Sequence, residues 1–152
     1  MNLAVLAGDR VLYLVRLRNG DLVTANIQVG STLPAVHTSI GKLLLAYSQD
    51  LSVVSETSFK VNHGPNAKLS LDELRDELTK IRNDGWAMQD EELAYGLRSV
   101  AAPVRDADGS VVAGANLAVQ SRDWSSRRKV RELRPLVTDA CADISAILGF
   151  VA

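Results

Sequence analysis

The spacing of apolar residues changes twice along this 152-residue chain, and these changes constrain its fold more than any other feature. Up to residue 27, short apolar runs are separated by turn-forming residues, which is typical of strands. From Ser39 the apolar residues follow helical spacing, and from Leu97 strand-like runs return before a last helical segment. Strands that are segregated in this way, and joined by short turns, favour an α+β fold with helices packed against an antiparallel sheet.

Five strands are predicted in the two strand-like regions. The first three are separated by Gly8-Asp9 and by Asn19-Gly20-Asp21, which are both hairpin signals. The last two are joined by residues 106–109, which end in a glycine and should form a hairpin loop. The predicted strands are Leu3 to Ala7, Val11 to Leu17, Leu22 to Ile27, Leu97 to Arg105 and Val111 to Val119.

The segment that begins at Ser39 is predicted to be a helix, because its apolar residues follow the i, i+3, i+4, i+7 spacing of one helical face. Residues 49–68 are more polar and are expected to hold a short helix and a loop, with a turn at Gly64-Pro65. The apolar face of the helix consists of Ile40, Leu43, Leu44 and Tyr47.

Two further helices are predicted after residue 68. Ser70 followed three residues later by Glu73 is a capping-box pattern, which marks a helix start, and Asp84-Gly85 marks the end of that helix. The last helix should end near Gly149. Pro135 lies inside its pattern and is expected to kink the helix or to divide it in two.

The composition limits the function classes that are open to the chain. A net charge of -1 gives no broad attraction to nucleic acid or to acidic membranes, so DNA contact is not expected from these residues. The single Cys141 excludes an internal disulfide, and no apolar run approaches the roughly 18 residues of a membrane span. The start of the chain lacks the features of a signal peptide. We therefore expect one cytoplasmic domain that covers residues 1–152.

No catalytic or metal-binding pattern is found in the sequence. Gly41-Lys42 lacks the preceding glycine and the following hydroxyl residue of a Walker loop. His37 and His63 are the only histidines, and neither has a nucleophile elbow or an i, i+4 partner that would suggest catalysis or metal binding. We therefore expect no catalytic residue, no metal and no cofactor.

Two charged segments and the cysteine have simple structural interpretations. Asp90-Glu91-Glu92 is expected to be a solvated acidic turn, and the basic run from Arg122 to Arg134 a solvated helix face. Cys141 is expected to be a small buried residue.

The last predicted hairpin has small residues and isolated polar residues on one face. Strand alternation places Leu97, Ser99 and Ala101 on one side, and it places Asn116 and Ala118 together in the same way. Such a face suits a small-ligand pocket that is mostly apolar with a few polar groups. Close packing of a helix against the small side chains explains the pattern equally well.

Several motifs, taken in order, resemble one protein family. They are similar to the C-terminal effector-binding domain of IclR-type bacterial transcriptional regulators over essentially the whole chain. The motifs are Gly30-x-x-Leu-Pro34, Thr38-x-x-Gly-Lys-x-Leu-Leu-Ala46, Ile81-Arg-x-x-Gly-Trp-Ala87, Asp90-Glu-Glu-x-x-x-Gly-Leu-Arg-Ser-Val-Ala-Ala-Pro-Val104 and Gly109-x-Val-Val-Ala113.

This resemblance implies a GAF-like fold, in which a curved antiparallel sheet and its helices hold a small-molecule pocket. It also implies that a winged helix-turn-helix, absent from this chain, makes the DNA contact, and that the domain forms a homodimer or a tetramer. Effectors of the family are small metabolites, commonly carboxylates. The segments around Arg98 and Asn116 are most similar to the branch that senses aromatic acids such as protocatechuate.

The resemblance also implies a set of ligand-binding residues. Members that bind small oxo-acids often have an acid in place of Gln89, a cysteine in place of Ser99, and serines in place of Asn116 and Ala118, so a small oxo-acid is not expected here. The implied ligand-binding residues are Leu33, Thr38, Ser39, Ile40, Gln89, Leu97, Ser99, Asn116 and Ala118.

The sequence therefore predicts the ligand-sensing and dimerisation domain of a bacterial transcription regulator. Two alternatives stay open at this point. One is a small enzyme that acts on an organic acid in the same pocket, and the other is an oligomerisation module without a ligand.

Overall fold

A computed structural model describes residues 1–17 and 28–152 of the chain. Six strands in these residues form one curled antiparallel sheet, and with the helices they make the α+β fold that the sequence predicted. The strands are β1 (Asn2–Ala7), β2 (Arg10–Arg16), β3 (Thr32–Pro34), β4 (Ala87–Asp90), β5 (Leu97–Arg105) and β6 (Val111–Gln120). They lie side by side in the order β3-β2-β1-β6-β5-β4.

Helices cover both faces of the sheet. The residues Ala35–His37 form a 3₁₀ turn that leads directly into the first α-helix. The α-helices are α1 (Ser39–Tyr47), α2 (Glu56–Phe59), α3 (Leu71–Asp84) and α4 (Ser126–Ile147). Helix α1 packs on strands β5 and β6 from one side and carries α3 on its outer surface, while α4 packs on the same two strands from the other side.

The alternation of β5 divides the core into two layers. Ala101 belongs to the layer under α1, whereas its neighbours Val100 and Ala102 belong to the layer under α4. Cys141 is buried in the α4 layer, and burial raises the pKa of its thiol to about 11. The cysteine is therefore the small buried residue that the sequence predicted.

The helix signals are confirmed at both ends of α3. The Ser70 hydroxyl accepts a hydrogen bond from the amide of Glu73 at 3.2 Å. Gly85 follows the helix with φ 76°, in the left-handed conformation that glycine adopts most easily. Within the described residues, no helix is both long enough and apolar enough to cross a membrane.

The secondary structure differs from the sequence prediction at two places. Of the two expected effects of Pro135, division of α4 is wrong, because the helix runs unbroken past the proline, while a kink stays a prediction. Pro135 is exposed, so water can bond the carbonyl group that the proline leaves without an amide partner. Strands β3 and β4 were not predicted, because segments this short carry too little alternation. The predicted strand from Leu22 to Ile27 lies outside the described residues.

The two charged segments are also less exposed than predicted. Glu92 is buried and paired with Lys42, and Asp90 ends strand β4. Lys129 is buried within the basic run, where its Nζ donates to the carbonyl oxygen of Gln89 at 3.2 Å. Burial lowers the pKa of Lys129 to about 8. Each segment thus contributes one charged group to the protein interior.

Candidate functional site

Side chains from four strands form two rows across the sheet face that α1 covers. Residues directly opposite each other in an antiparallel ladder point to the same face. Gln89, Ser99 and Ala118 are such partners across β4, β5 and β6, and form the first row. The second row joins Ala101, Asn116 and Asn2 across β5, β6 and β1. The structure therefore confirms that the hairpin residues predicted to share a sheet face do so.

A buried chain of hydrogen bonds connects the start of α1 to these rows. The hydroxyl oxygens of Ser39 and Ser99 lie 2.7 Å apart. Asn116 donates from Nδ2 to the Ser39 hydroxyl at 3.4 Å, and Asn2 donates from Nδ2 to the Asn116 side-chain oxygen at 3.0 Å. All four side chains are buried, so the polar groups satisfy one another inside an otherwise apolar layer.

The first turn of α1 leaves backbone donors available. Within residues 1–17 and 28–152, no acceptor engages the amides of Ser39 and Ile40. Amides in the first turn of a helix lack a partner within the helix, and the helix dipole gives that end a partial positive charge. An anion at this position would gain two hydrogen bonds and a favourable electrostatic interaction.

Thr38 caps α1, and the hydrogen of its hydroxyl group is already used in a hydrogen bond. Its hydroxyl oxygen accepts from the amide of Gly41 at 3.0 Å and donates to the carbonyl oxygen of Ala35 at 3.2 Å. The side chain of Ile40 is fully buried against Gly114. Both residues therefore shape the start of the helix, and only the backbone of Ile40 is available to a ligand.

Gln89 is occupied by the loop that connects β4 to β5. Its Nε2 donates to the carbonyl oxygen of Leu97 at 3.2 Å, and its Oε1 accepts from the amides of Glu92 at 3.0 Å and Leu93 at 3.4 Å. The side chain has no exposed surface. Gln89 thus fixes the loop beside Ser99, whichever ligand occupies the site.

The three apolar site residues lie on the same sheet face. Leu97 is buried at the start of β5, and Ala118 is half-buried opposite Ser99. Leu33 is half-buried on β3, opposite Val11, and so lies at the far end of the sheet from Leu97. The structure therefore brings the predicted residues onto one face, with Leu33 set apart from the others.

A buried ion-pair network at α1 was not predicted. Lys42 Nζ lies 2.5 Å from Glu77 Oε1 on α3 and 2.8 Å from Glu92 Oε2 after β4, and Lys68 Nζ lies 2.7 Å from the other oxygen of Glu77. Burial tends to raise the pKa of Glu77, but the two lysines outweigh it and hold the pKa below its usual value. The lysine of the Gly-Lys pair therefore anchors α1. Sequence spacing could not indicate this role, because the partners of the lysine come from distant segments.

Residues of β1 and β2 also reach this face without having been predicted. Arg16 lies opposite Asn2 in the ladder, and Tyr13 lies opposite Ala4. Burial raises the pKa of Tyr13 to about 12, so its phenol stays protonated at neutral pH. The register places Arg16 in line with Asn2 and Asn116, and only the ladder pairing could have revealed this.

Comparison with known proteins relates this arrangement to a family. Residues 1–146 match the family Bacterial transcriptional regulator IclR C-terminal. The Pca regulon regulatory protein of Pseudomonas putida is 30% identical over 94% of this chain and 50% of its own length. The chain thus spans about half the length of this relative. It also resembles regulators and repressors from other bacteria, which are named for transcriptional control rather than for enzyme activity.

Solved structures show the same fold. The C-terminal domain of the Escherichia coli transcriptional regulator KdgR is 26% identical, with a TM-score of 0.79 over 98% of this chain and 87% of that one. An IclR homologue from Microbacterium hydrocarbonoxydans, complexed with 4-hydroxybenzoate, is 25% identical, with a TM-score of 0.78 over 97% of this chain and 59% of that one. The chain therefore belongs to the family of bacterial transcriptional regulator IclR C-terminal domains.

Proposed function

We propose that this chain senses a small organic carboxylate for a bacterial transcription regulator, and that the ligand binds between the first turn of α1 and the polar rows of the sheet. The observation that carries the proposal is the buried hydrogen bond between Ser39 and Ser99, which places two hydroxyl groups beside the available amides of Ser39 and Ile40. Polar groups inside an apolar layer are the usual means of orienting a small ligand.

The chemistry of the site favours a negatively charged group at α1. The two amides donate hydrogen bonds, and the helix dipole favours an anion at this end. Arg16 lies on the same sheet face, opposite Asn2 in the ladder. Lys42 does not contribute, since Glu77 and Glu92 hold its ammonium group away in a buried ion pair.

The rest of the ligand would be held by apolar contacts. Leu97 and Ala118 supply apolar surface beside Ser99, which suits an aromatic or aliphatic body, whereas Leu33 lies at the far end of the sheet. The 4-hydroxybenzoate complex of the Microbacterium homologue and the kinship with the Pca regulon regulator support an aromatic acid as the first class to test.

We also propose the wider role that the family implies. The domain would form dimers or tetramers in the cytoplasm and reach DNA only through a separate winged helix-turn-helix domain. Effector binding would change transcription if the two subunit arrangements of the regulator bind the effector with different affinity.

A thermal-shift screen tests the proposal. Aromatic and aliphatic carboxylic acids should raise the melting temperature, whereas the matched primary amides should not, because they lack the charge that the helix start favours. A shift of the same size with acids and amides would overturn the proposed anion site.

A further inference from the structure

A pair of histidines lies near the start of α1, and one of them ends the 3₁₀ turn. His37 precedes the cap of α1 and is fully buried, and His63 is exposed in the loop after α2. Their ring centroids are 5.4 Å apart, and the two ring planes meet at 53°. Neither side chain takes part in the proposed effector site.

The hydrogen bonds of the two rings fix which nitrogen atom carries the proton in each. His37 Nε2 lies 3.3 Å from the carbonyl oxygen of Phe59, and a carbonyl group can only accept, so Nε2 carries the hydrogen. By the same reasoning His63 Nδ1 donates to the carbonyl oxygen of Gly64 at 3.0 Å. In the neutral rings, His37 Nδ1 and His63 Nε2 are therefore left with lone pairs.

The lone pair of His37 has no partner among the residues that the structure describes. His37 Nδ1 is buried and makes no hydrogen bond to any described residue. Burial lowers the pKa of His37, and electrostatic interaction with the nearby His63 and Lys42 lowers it further. The hydrogen bond to Phe59 raises the pKa but does not outweigh these causes. The imidazole is thus neutral at neutral pH, which is the form that binds metal ions.

We infer that His37 and His63 together bind one divalent transition-metal ion of the Zn²⁺ or Ni²⁺ type. Two imidazoles that share an ion at metal–nitrogen distances of about 2.1 Å hold their ring centroids roughly 5 to 6 Å apart, which agrees with the observed separation. Each ring also donates its N–H group to a backbone carbonyl, the arrangement that orients histidine ligands in metal sites.

The rest of the coordination shell would consist of water. No third histidine, cysteine or carboxylate joins the pair among residues 1–17 and 28–152. Imidazole ligands favour zinc, nickel and copper over magnesium and calcium, which prefer oxygen. The sequence predicted no metal site because the two histidines are far apart along the chain, and the fold removes that separation.

Metal titration of the chain without an affinity tag tests this inference, because the chain contains no other histidine. Calorimetry with Zn²⁺ and with Ni²⁺ should show one ion bound per chain. His63→Asn should weaken binding by about tenfold or more. His63 is exposed, so this variant should keep its fold. The control variant Glu56→Gln, which removes an exposed carboxylate from neighbouring α2, should bind as the original chain does.

Nitrogen NMR distinguishes a site in which both imidazoles bind a metal ion from a site that holds only water. Zn²⁺ should shift the resonances of His37 Nδ1 and His63 Nε2 and leave the two protonated nitrogens bonded to their carbonyl groups. The inference is overturned if neither ion binds, if His63→Asn binds with unchanged affinity, or if the His37 resonances do not respond to the metal.

Discussion

Ser39 and Ser99 are sixty positions apart in the chain, yet their hydroxyl oxygens lie 2.7 Å from each other at the interface of α1 and β5. Such a hydrogen bond contributes about 1 kcal/mol to stability, which is less than two amide bonds to a carboxylate can return. A ligand that enters between α1 and β5 would therefore exchange this bond for stronger ones. In the proposed site, the pair would hold α1 and β5 together when no ligand is bound, without making ligand entry costly.

The first prediction concerns the buried ion pair of Lys42. Lys42→Met leaves Glu92 without its cation and Glu77 with Lys68 alone, so we expect the free energy of unfolding to fall by about 3 to 5 kcal/mol. Urea denaturation measures the change. Lys60→Met, at a lysine with an exposed side chain, should change stability by less than about 0.5 kcal/mol. Equal effects of both variants would show that the buried pair is not a stabilising contact.

The second prediction concerns the glycine beside Lys42. A methyl group at Gly41 would come 2.1 Å from the carbonyl oxygen of Ala35, so the 3₁₀ turn and the start of α1 could not keep their positions. Gly41→Ala should lower the free energy of unfolding by roughly 3 kcal/mol, at the upper end of overpacking costs. Thermal unfolding tests this, and a variant as stable as the original chain would contradict the close approach.

The third prediction concerns pH. Burial lowers the pKa of His37 below its ordinary 6.5, so the unfolded chain binds a proton more readily than the folded one. As pH falls below 6.5, the unfolded state gains protonation free energy and the folded state is destabilised until the folded pKa is reached. His37→Gln removes this contribution. With a chelator present, the stability of the original chain should fall more steeply from pH 7 to pH 5 than that of His37→Gln. Parallel curves would contradict a neutral buried His37.

How much of the structure can be predicted from the sequence depends on the kind of interaction. The alternation around Ser99 and Asn116 is local, so the shared sheet face could be predicted from spacing alone. The roles of Thr38 and Gln89 could not, because each uses its hydrogen-bonding groups on backbone atoms whose positions only the fold defines. Spacing indicates which residues share a face, but not which of them are already occupied.

Charged residues show the same limit. Glu92 lies in an acidic run that composition assigns to solvent, yet it is buried because Lys42 approaches from another segment. Arg16 reaches the site face through its ladder partner Asn2, and no pattern within β2 reveals that pairing. Interactions between segments that are distant along the chain thus determine which charged residues are buried. A single sequence does not reveal these interactions.

The central claim is that a carboxylate binds between Ser39 and Ser99, and calorimetry with the best acid from the thermal-shift screen tests it most directly. Ser99→Leu adds a bulky apolar side chain to that face, whereas Ser110→Leu adds the same side chain at an exposed hairpin position. We predict that a folded Ser99→Leu variant loses binding by at least about a hundredfold, since the hydroxyl partner is lost and the larger side chain would occupy the proposed site. Ser110→Leu should bind as the original chain does. Unchanged affinity in a folded Ser99→Leu variant would contradict the account.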